Sequence, residues 1–183
     1  MEQYDTIMKK LLSTKEIEKH IKQEISRSEY ASLLLKKLEL TYHFTNTFDL
    51  PGTYIFSDEE GYHCVGIGDK GKKYPDKRPK TLEEVSWFVY QFVARNVSME
   101  IANIGVGDFR QYIFKKEIEI LASINEKYAL LGEGEIEKTL AIAPLDHSFS
   151  VEEIDQREKA YNDRRDINKP RVKTSLYNKF FGK

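Results

Sequence analysis

The sequence predicts an α+β domain that is mostly helical, and two stretches carry this prediction. In residues 81–104, nine apolar side chains cover nearly every side of a helix, a pattern typical of a helix in the middle of a protein: Val85, Trp87, Phe88, Val89, Phe92, Val93, Val97, Met99 and Ile101. Residues 53–67 contain two short runs of aromatic and β-branched side chains joined by an acidic loop, which predicts an antiparallel hairpin. We therefore expect a helical core around residues 81–104 with a small sheet beside it.

The sequence also predicts where this central helix begins and ends. Thr81 can accept a hydrogen bond from the backbone N–H of Glu84, and the Glu84 carboxylate can reach back, as in a capping box. Gly105 and Gly107 follow the last apolar residues and favour a break in the chain.

The chain before the hairpin predicts one clear helix and one ambiguous segment. Within residues 3–28, three isoleucines recur every four residues among Lys and Glu, which indicates an amphipathic helix. In the next segment, residues 30–38 fit a helix, whereas residues 38–44 alternate like a strand. An isolated hairpin is only marginally stable, so it must pair with a third strand, for which residues 38–44 are a candidate, or lie on the helices.

The chain after the central helix predicts further helices and a charged end. Asp108 is a good N-cap for one helix, and a second over residues 126–143 stops before a proline. A charged helix over residues 151–166 and a basic end without periodicity follow. We therefore expect a single globular domain, residues 1–149, and a charged, mobile C-terminal part, residues 150–183.

Composition indicates a folded protein of a reducing compartment. Hydrophobic residues make up 40% and aromatic residues 12% of the chain, which fits a globular domain. Apolar runs fall far short of the roughly 20 residues that span a bilayer, and the acidic N-terminus lacks a cleavage site of small residues, so we expect neither membrane insertion nor secretion. The single cysteine, Cys64, is consistent with the cytoplasm.

The net charge of −1 conceals an uneven distribution of charge. Seven of the 29 Lys and Arg side chains lie in residues 164–183 beside one acidic residue, which leaves residues 1–163 with 22 basic and 29 acidic side chains, a formal −7. An acidic body argues against binding nucleic acid through its phosphates and is compatible with a basic protein partner. Binding of nucleic acid or membrane by the basic tail alone stays open.

The motifs that would indicate chemistry are weak. Residues 66–71 match G-x-G-x-x-G, but Pro75 and Pro79 prevent the helix that a dinucleotide site requires, so we expect turn glycines and no cofactor. His63 and Cys64 are neighbours on a strand and point to opposite faces, so they cannot share a metal ion. We expect no catalytic, cofactor or metal residues, and Cys64 should be a small buried hydrophobe.

Arg110 lies where a helix begins, a place that the helix dipole makes unfavourable for a cation. It should therefore have a specific partner. We predict Glu84, because a bidentate pair would join the starts of two helices.

Three ordered segments resemble a known protein family. They are the hairpin over residues 54–65 with its acidic turn and Gly-Tyr-His, the helix start over residues 81–89, and a D-F-R-x-x-x-F series that begins at Asp108. Together they resemble the immunity protein 63 family of bacterial polymorphic toxin systems, over residues 54–146. The shared positions are expected to be core and corner residues: Gly61, Gly71, Glu84, Asp108, Arg110 and Phe114.

This resemblance implies a non-enzymatic protein that binds a cognate toxin and neutralises it in competition between bacteria. It implies no cofactor and no catalytic residue. For the contact with the toxin we predict Asp58, Glu59 and Glu60 at the hairpin turn, with Tyr62, since an acidic face would speed capture of a basic toxin. The alternative is a small helical ligand-binding or regulatory domain without a toxin partner, which would need a pocket of convergent polar groups. A phosphodiester-cleaving enzyme is disfavoured by the scattered spacing of Asp, Glu and His. The sequence leaves the oligomeric state open.

Overall fold

The computed structural model describes residues 11–103 and 107–146, which contain five α-helices and a three-stranded sheet. The elements are α1 Thr14–Ile25, α2 Ala31–Thr41, β1 Tyr42–His43, β2 Gly52–Asp58, β3 Gly61–Ile67, α3 Leu82–Ile101, α4 Phe109–Ile124 and α5 Glu126–Ile142. The predicted class, α+β and mostly helical, is confirmed. The charged helix and basic tail expected after residue 150 lie outside the described residues, so the domain boundary stays a prediction.

Helix α1 begins at a capping box that its own sequence supplies. Ser13 Oγ accepts from the Glu16 N–H at 3.4 Å, and the Glu16 carboxylate accepts from the Ser13 N–H at 2.8 Å. The three isoleucines of the amphipathic pattern, Ile17, Ile21 and Ile25, are all fully buried. The amphipathic helix predicted within residues 3–28 is thus confirmed from Thr14, with Ser13 as its N-cap; residues 3–10 lie outside the described residues.

Helix α3 lies at the centre of the fold, in contact with α2, α4, α5 and β3. Its buried residues form two adjacent rows: Val85, Ser86, Val89, Tyr90, Val93, Ala94, Val97 and Ser98. Phe92 and Met99 on the outer face are 48% and 51% exposed. The helix is therefore buried along a broad stripe and not all round.

The ends of α3 differ slightly from the predicted ones. The Glu84 N–H donates to Thr81 Oγ1 at 3.1 Å, but the Glu84 carboxylate accepts from the Lys80 N–H at 2.7 Å, one residue before the expected donor. The helix ends at Ile101, and Ala102 is already extended. The break therefore comes before the glycines that were expected to cause it.

The sheet has the order β1-β2-β3. β2 and β3 form the predicted hairpin, antiparallel from Gly52 opposite Ile67 to Asp58 opposite Gly61. β1 is only two residues long and pairs with β2 in parallel. Of the ambiguous residues 38–44, most belong to α2, because its leucines at four-residue spacing are buried and favour the helix.

Helices α4 and α5 pack closely at Gly132, where an added Cβ would lie 2.7 Å from Leu121 Cδ1. One turn earlier on α5, Tyr128 is fully buried against α3. Its ring stacks beside Trp87 and meets Tyr90 edge-on, with ring centres 6.3 and 4.9 Å apart. Aromatic packing thus joins α5 to the central helix.

Candidate interaction surface

The hairpin tip, residues 58–60, is exposed and follows directly from the local sequence. Asp58 Oδ1 accepts from the Glu60 N–H at 2.8 Å, which fixes the two-residue turn between β2 and β3. Gly61 then enters β3 with φ of +131°, a conformation that side-chain-bearing residues rarely adopt. The tip thus presents three carboxylates on a defined turn.

His63 lies beneath the tip and joins it to the segment after β3. It is 4% exposed, with Nε2 2.9 Å from Asp58 Oδ1 and Nδ1 2.7 Å from Asp76 Oδ2. Phe56 stacks flat on the imidazole at 4.5 Å between ring centres. Burial alone lowers the pKa of His63, but hydrogen bonds to Asp76 and Asp58 outweigh it, so the pKa lies above its ordinary value.

Arg78 completes the arrangement of alternating charges. Its Nη1 is 2.7 Å from Glu60 Oε2, and its Nε is 3.3 Å from Asp76 Oδ2. Glu59 forms no ion pair within the described part of the chain. The tip is therefore a connected ion-pair network and not a set of three free carboxylates, so it is less negative and more rigid than its sequence suggests.

The protonated His63 should stabilise the fold. Its pKa is raised above the unfolded value of about 6.5, so its contribution is fully present below that pH and is lost as the pH rises through the folded-state pKa. We expect the melting temperature to fall over that interval, as measured by circular dichroism. In His63→Gln the melting temperature should fall less over this pH interval, because the variant lacks the titrating imidazole. If the melting temperature of the variant depended on pH in the same way as that of the parent, the prediction would be wrong.

Tyr62, the fourth residue predicted at the contact, is 6% exposed. Its hydroxyl accepts from the Leu12 N–H at 3.2 Å, which ties β3 to the chain before α1. The structure therefore brings Tyr62 next to the tip but leaves little of its surface for a partner.

The edge segment, residues 70–80, contains the two prolines that exclude a dinucleotide-binding helix. It runs along the outer edge of β3, where Lys77 and Cys64 exchange backbone hydrogen bonds of 3.0 and 2.9 Å. It displays six exposed basic side chains: Lys70, Lys72, Lys73, Lys77, Arg78 and Lys80. The ammonium groups of three of them lie 5.0–5.5 Å from aromatic ring centres. The density of Lys in the sequence was the available signal for this basic surface beside the tip.

The predicted pair between Arg110 and Glu84 is wrong. Arg110 Nη2 lies 2.5 Å from Asp108 Oδ2, and its guanidinium donates to the carbonyl oxygens of Ala143 at 2.8 Å and Pro144 at 2.7 Å. Glu84 is occupied at the start of its own helix. The side chain of Arg110 instead joins the start of α4 to the carbonyl groups that end α5, where a cation is favoured.

The other shared positions are also structural. Phe114 is 8% exposed and lies under the guanidinium of Arg95, 5.1 Å from its ring centre. Gly71 closes a short 3₁₀ turn, Asp69–Gly71. Burial raises the pKa of Cys64 to about 12, so this thiol stays protonated at neutral pH, as expected of a buried hydrophobe.

Sequence reasoning missed Glu117, a charged residue in the core. Its side chain is 1% exposed and forms an ion pair with Arg95 of α3. Glu117 follows Phe114 by three residues, on the buried face of α4. Glutamate is rarely buried, so the residue type alone gives no signal for a core position.

Comparison with known families supplies the next observation. Residues 58–138 match the family model described as immunity protein 63. The chain therefore carries an immunity protein 63 segment. The segment begins at the hairpin tip and ends within α5, and it confirms the family resemblance found between residues 54 and 146. No curated protein and no solved structure matches the chain.

Two further findings concern the described residues of the chain. No helix within residues 11–103 and 107–146 is long and apolar enough to cross a membrane. The same residues contain no group of three or more His, Cys, Asp or Glu arranged to hold a metal ion.

Proposed function

We propose that this chain binds a cognate bacterial polymorphic toxin directly and blocks it without catalysis, in the cytoplasm of the cell it protects. The observation that carries the proposal is the immunity protein 63 match, which begins at the hairpin tip and includes the edge segment. An immunity role in general follows from this family; neutralisation by direct contact is the step we add.

The hairpin tip and the edge segment together form the proposed contact surface. The ion pairs of Arg78 and His63 hold the tip before any partner arrives, so binding loses little conformational entropy there. The surface carries carboxylates at the turn and ammonium groups along the edge of β3. A partner with the opposite arrangement of charge would be steered and oriented by both.

Co-expression with a candidate toxin, for example one encoded by a gene adjacent to the gene of this chain, tests the function. Cells that express both proteins should survive, and the two purified proteins should form a complex. Toxin activity should fall in proportion to added immunity protein and reach its minimum at equimolar amounts. Protection far below equimolar amounts, or protection without a complex, would show a catalytic or indirect mode and overturn the proposal.

Charge reversal at the tip tests the surface. In Glu59→Lys/Glu60→Lys we expect the association rate constant at low salt to fall by about tenfold or more, because electrostatic steering is lost, while Asp58 stays bound to His63. Stopped-flow mixing at two salt concentrations measures this. Glu133→Lys/Glu137→Lys makes the same charge change on the exposed face of α5 and serves as the control. Equal slowing by both variants would mean that net charge acts and the tip does not.

The basic side chains of the edge segment raise the question of whether it binds nucleic acid. The prediction that the body of the protein does not bind nucleic acid stays a prediction, and this basic surface is the place to test it. Toxin binding that survives an excess of duplex DNA would favour a protein partner on the edge segment.

A further inference from the structure

We propose that the part of the partner that meets the edge segment is an acidic protein segment carrying an apolar side chain. This inference rests on the proposed function and deepens it, because it states the chemistry of the partner at one half of the contact surface. The site consists of the edge segment and the β1–β2 loop, residues 44–51, which has no part in the contact described so far. The charge of the site, its rigidity and its exposed apolar side chains each limit what it can bind.

The edge segment carries positive charge that has no counterpart beside it. Its six basic side chains stand against one acid, Asp76, which is already bound to His63 and Arg78. Arg78 also pairs with Glu60, but the five lysines form no ion pair with any residue that the structure describes. Residues 1–163 are acidic overall, so this concentration of unpaired ammonium groups is local. A segment that brings carboxylates complements it in charge.

The edge segment is held in place before a partner arrives. The Tyr74 N–H donates to the Gly66 carbonyl of β3 at 2.9 Å, and the Tyr74 ring lies against Gly66 and Gly68, where a Cβ on Gly68 would come within 2.9 Å of it. These two glycines, expected as turn residues, thus make room for the ring. The Lys72 ammonium lies 5.5 Å from the centre of the same ring. Binding therefore loses little conformational entropy in this segment.

The β1–β2 loop adds exposed apolar side chains on a fixed backbone. Leu50 is 60% exposed and Phe48 38%. The hydroxyl of the buried Tyr54 accepts from the Leu50 N–H at 2.9 Å and donates to the Leu50 carbonyl at 2.7 Å. The Lys73 ammonium lies 5.1 Å from the centre of the Phe48 ring, which joins the loop to the edge segment. An apolar side chain of the partner would be buried beside Leu50 while its acidic neighbours meet the lysines.

Two observations favour a protein segment over a nucleic acid. The exposed rings of Phe48 and Tyr74 each have an ammonium group of the chain over them, which a base would have to displace in order to stack. The end of the edge segment also adjoins the hairpin tip, where Arg78 pairs with Glu60. A row of phosphates along the lysines would run into the carboxylates of the tip, whereas a protein can place basic groups there.

Titration of the ¹⁵N-labelled full-length protein with two acidic peptides tests the site without the toxin. Both peptides hold four glutamates, placed around a central phenylalanine in one and a central glycine in the other. We expect saturable amide shifts in the edge segment and the β1–β2 loop, and about tenfold tighter binding of the phenylalanine peptide. Leu50→Ser should abolish this preference, because it removes the exposed apolar side chain and keeps the backbone bonds to Tyr54.

Charge reversal provides the second variant. Lys72→Glu/Lys73→Glu should weaken the binding of both peptides by about tenfold or more. Lys36→Glu/Lys115→Glu makes the same charge change at two exposed lysines of α2 and α4, and it should have little effect. Equal affinity of the parent for the two peptides, equal weakening by both charge variants, or tighter binding of an oligothymidylate of the same charge would overturn the inference.

A toxin that forms a complex with the parent separates this inference from the proposed function. In that complex Leu50→Ser and Lys72→Glu/Lys73→Glu should each raise the Kd by about tenfold. An unchanged Kd in both variants would overturn the inference and leave the proposed function standing. Absence of any complex would count against the proposed function, and the peptide titrations would still decide the inference.

Discussion

Replacing Arg95 by leucine is expected to lower the free energy of unfolding by about 3 kcal/mol. The substitution leaves Glu117 as an unpaired carboxylate at 1% exposure between α3 and α4. The lower end of the usual range applies because the Arg95 side chain is 33% exposed and water screens part of the pair. For a chain of this length the melting temperature should drop by roughly 6–12 °C. Urea denaturation followed by circular dichroism measures the change.

The cost of losing Arg95 should also depend on pH. Burial raises the pKa of Glu117, and Arg95 opposes the rise. An acid with a raised folded-state pKa loses stability as the pH climbs from its unfolded value of about 4.3 through the folded one. Without Arg95 the pKa of Glu117 rises further. The difference in the free energy of unfolding between Arg95→Leu and the parent should therefore be smaller at about pH 4.5 than at about pH 7.5. A difference independent of pH would show that the charge of Glu117 is not the cause.

The double variant Arg95→Leu/Glu117→Leu separates charge from packing. Removing both partners leaves no buried charge, so most of the lost stability should return. If the double variant were as unstable as Arg95→Leu, the contact of Arg95 with the Phe114 ring would be the cause. Lys138→Leu removes an exposed ion pair of 2.7 Å to Glu135 and should change stability by about 0.5 kcal/mol or less.

Replacing Asp108 by alanine should lower the free energy of unfolding by about 2–3 kcal/mol. The Asp108 carboxylate, 8% exposed, caps α4 through the Arg110 N–H at 3.0 Å, holds the Arg110 guanidinium and accepts from the Asp146 N–H at 3.0 Å. All three contacts disappear together. Thermal and urea denaturation measure the loss, and limited proteolysis should show earlier cleavage after Pro144.

Two companion substitutions identify which contact matters. Asp108→Asn keeps an N-cap oxygen but loses the charge, so its free energy of unfolding should lie between that of the parent and that of Asp108→Ala. Arg110 holds the pKa of Asp108 well below its usual range, so its stabilisation is present above about pH 3.9 and is lost as the pH falls through the folded-state pKa. Arg110→Ala should therefore be less stable than the parent at neutral pH, with the gap narrowing in acid. If the difference in stability between Arg110→Ala and the parent did not change with pH, the ion pair of Asp108 and Arg110 would not be its cause.

Local sequence signals were enough to predict most of the helices and the hairpin. Ser and Thr caps, the Asp108 N-cap and the proline after α5 each act within a few residues, so a single sequence contains them. The ambiguous residues 38–44 were a different case. The alternation of apolar and polar residues fits a strand. Most of the segment is nevertheless helical, because Leu34 and Leu38 of α2 are buried against other elements. That choice depends on packing partners far away in the chain.

The candidate surface could be predicted only in outline. The acidic turn followed from the hairpin, but the pairing of His63 with Asp76 joins residues 13 apart that no local pattern connects. Residues 62–65 are buried in an unbroken run, which means that both faces of β3 are covered. For this reason Tyr62, which was predicted at the contact with the toxin, contributes mainly to packing. The partner of Arg110 was missed because backbone carbonyl groups have no signature in the sequence.

The edge segment also determines how another chain can approach the sheet. Lys77 and Tyr74 already occupy backbone groups of Cys64 and Gly66 on β3, and Pro75 lies between them without an N–H to offer. At the other side of the sheet, β1 provides only two residues. A partner chain therefore finds no long open strand to extend at the β3 edge, and recognition at this edge would depend on side chains. Such recognition can diverge by point substitutions while the backbone of the sheet stays unchanged.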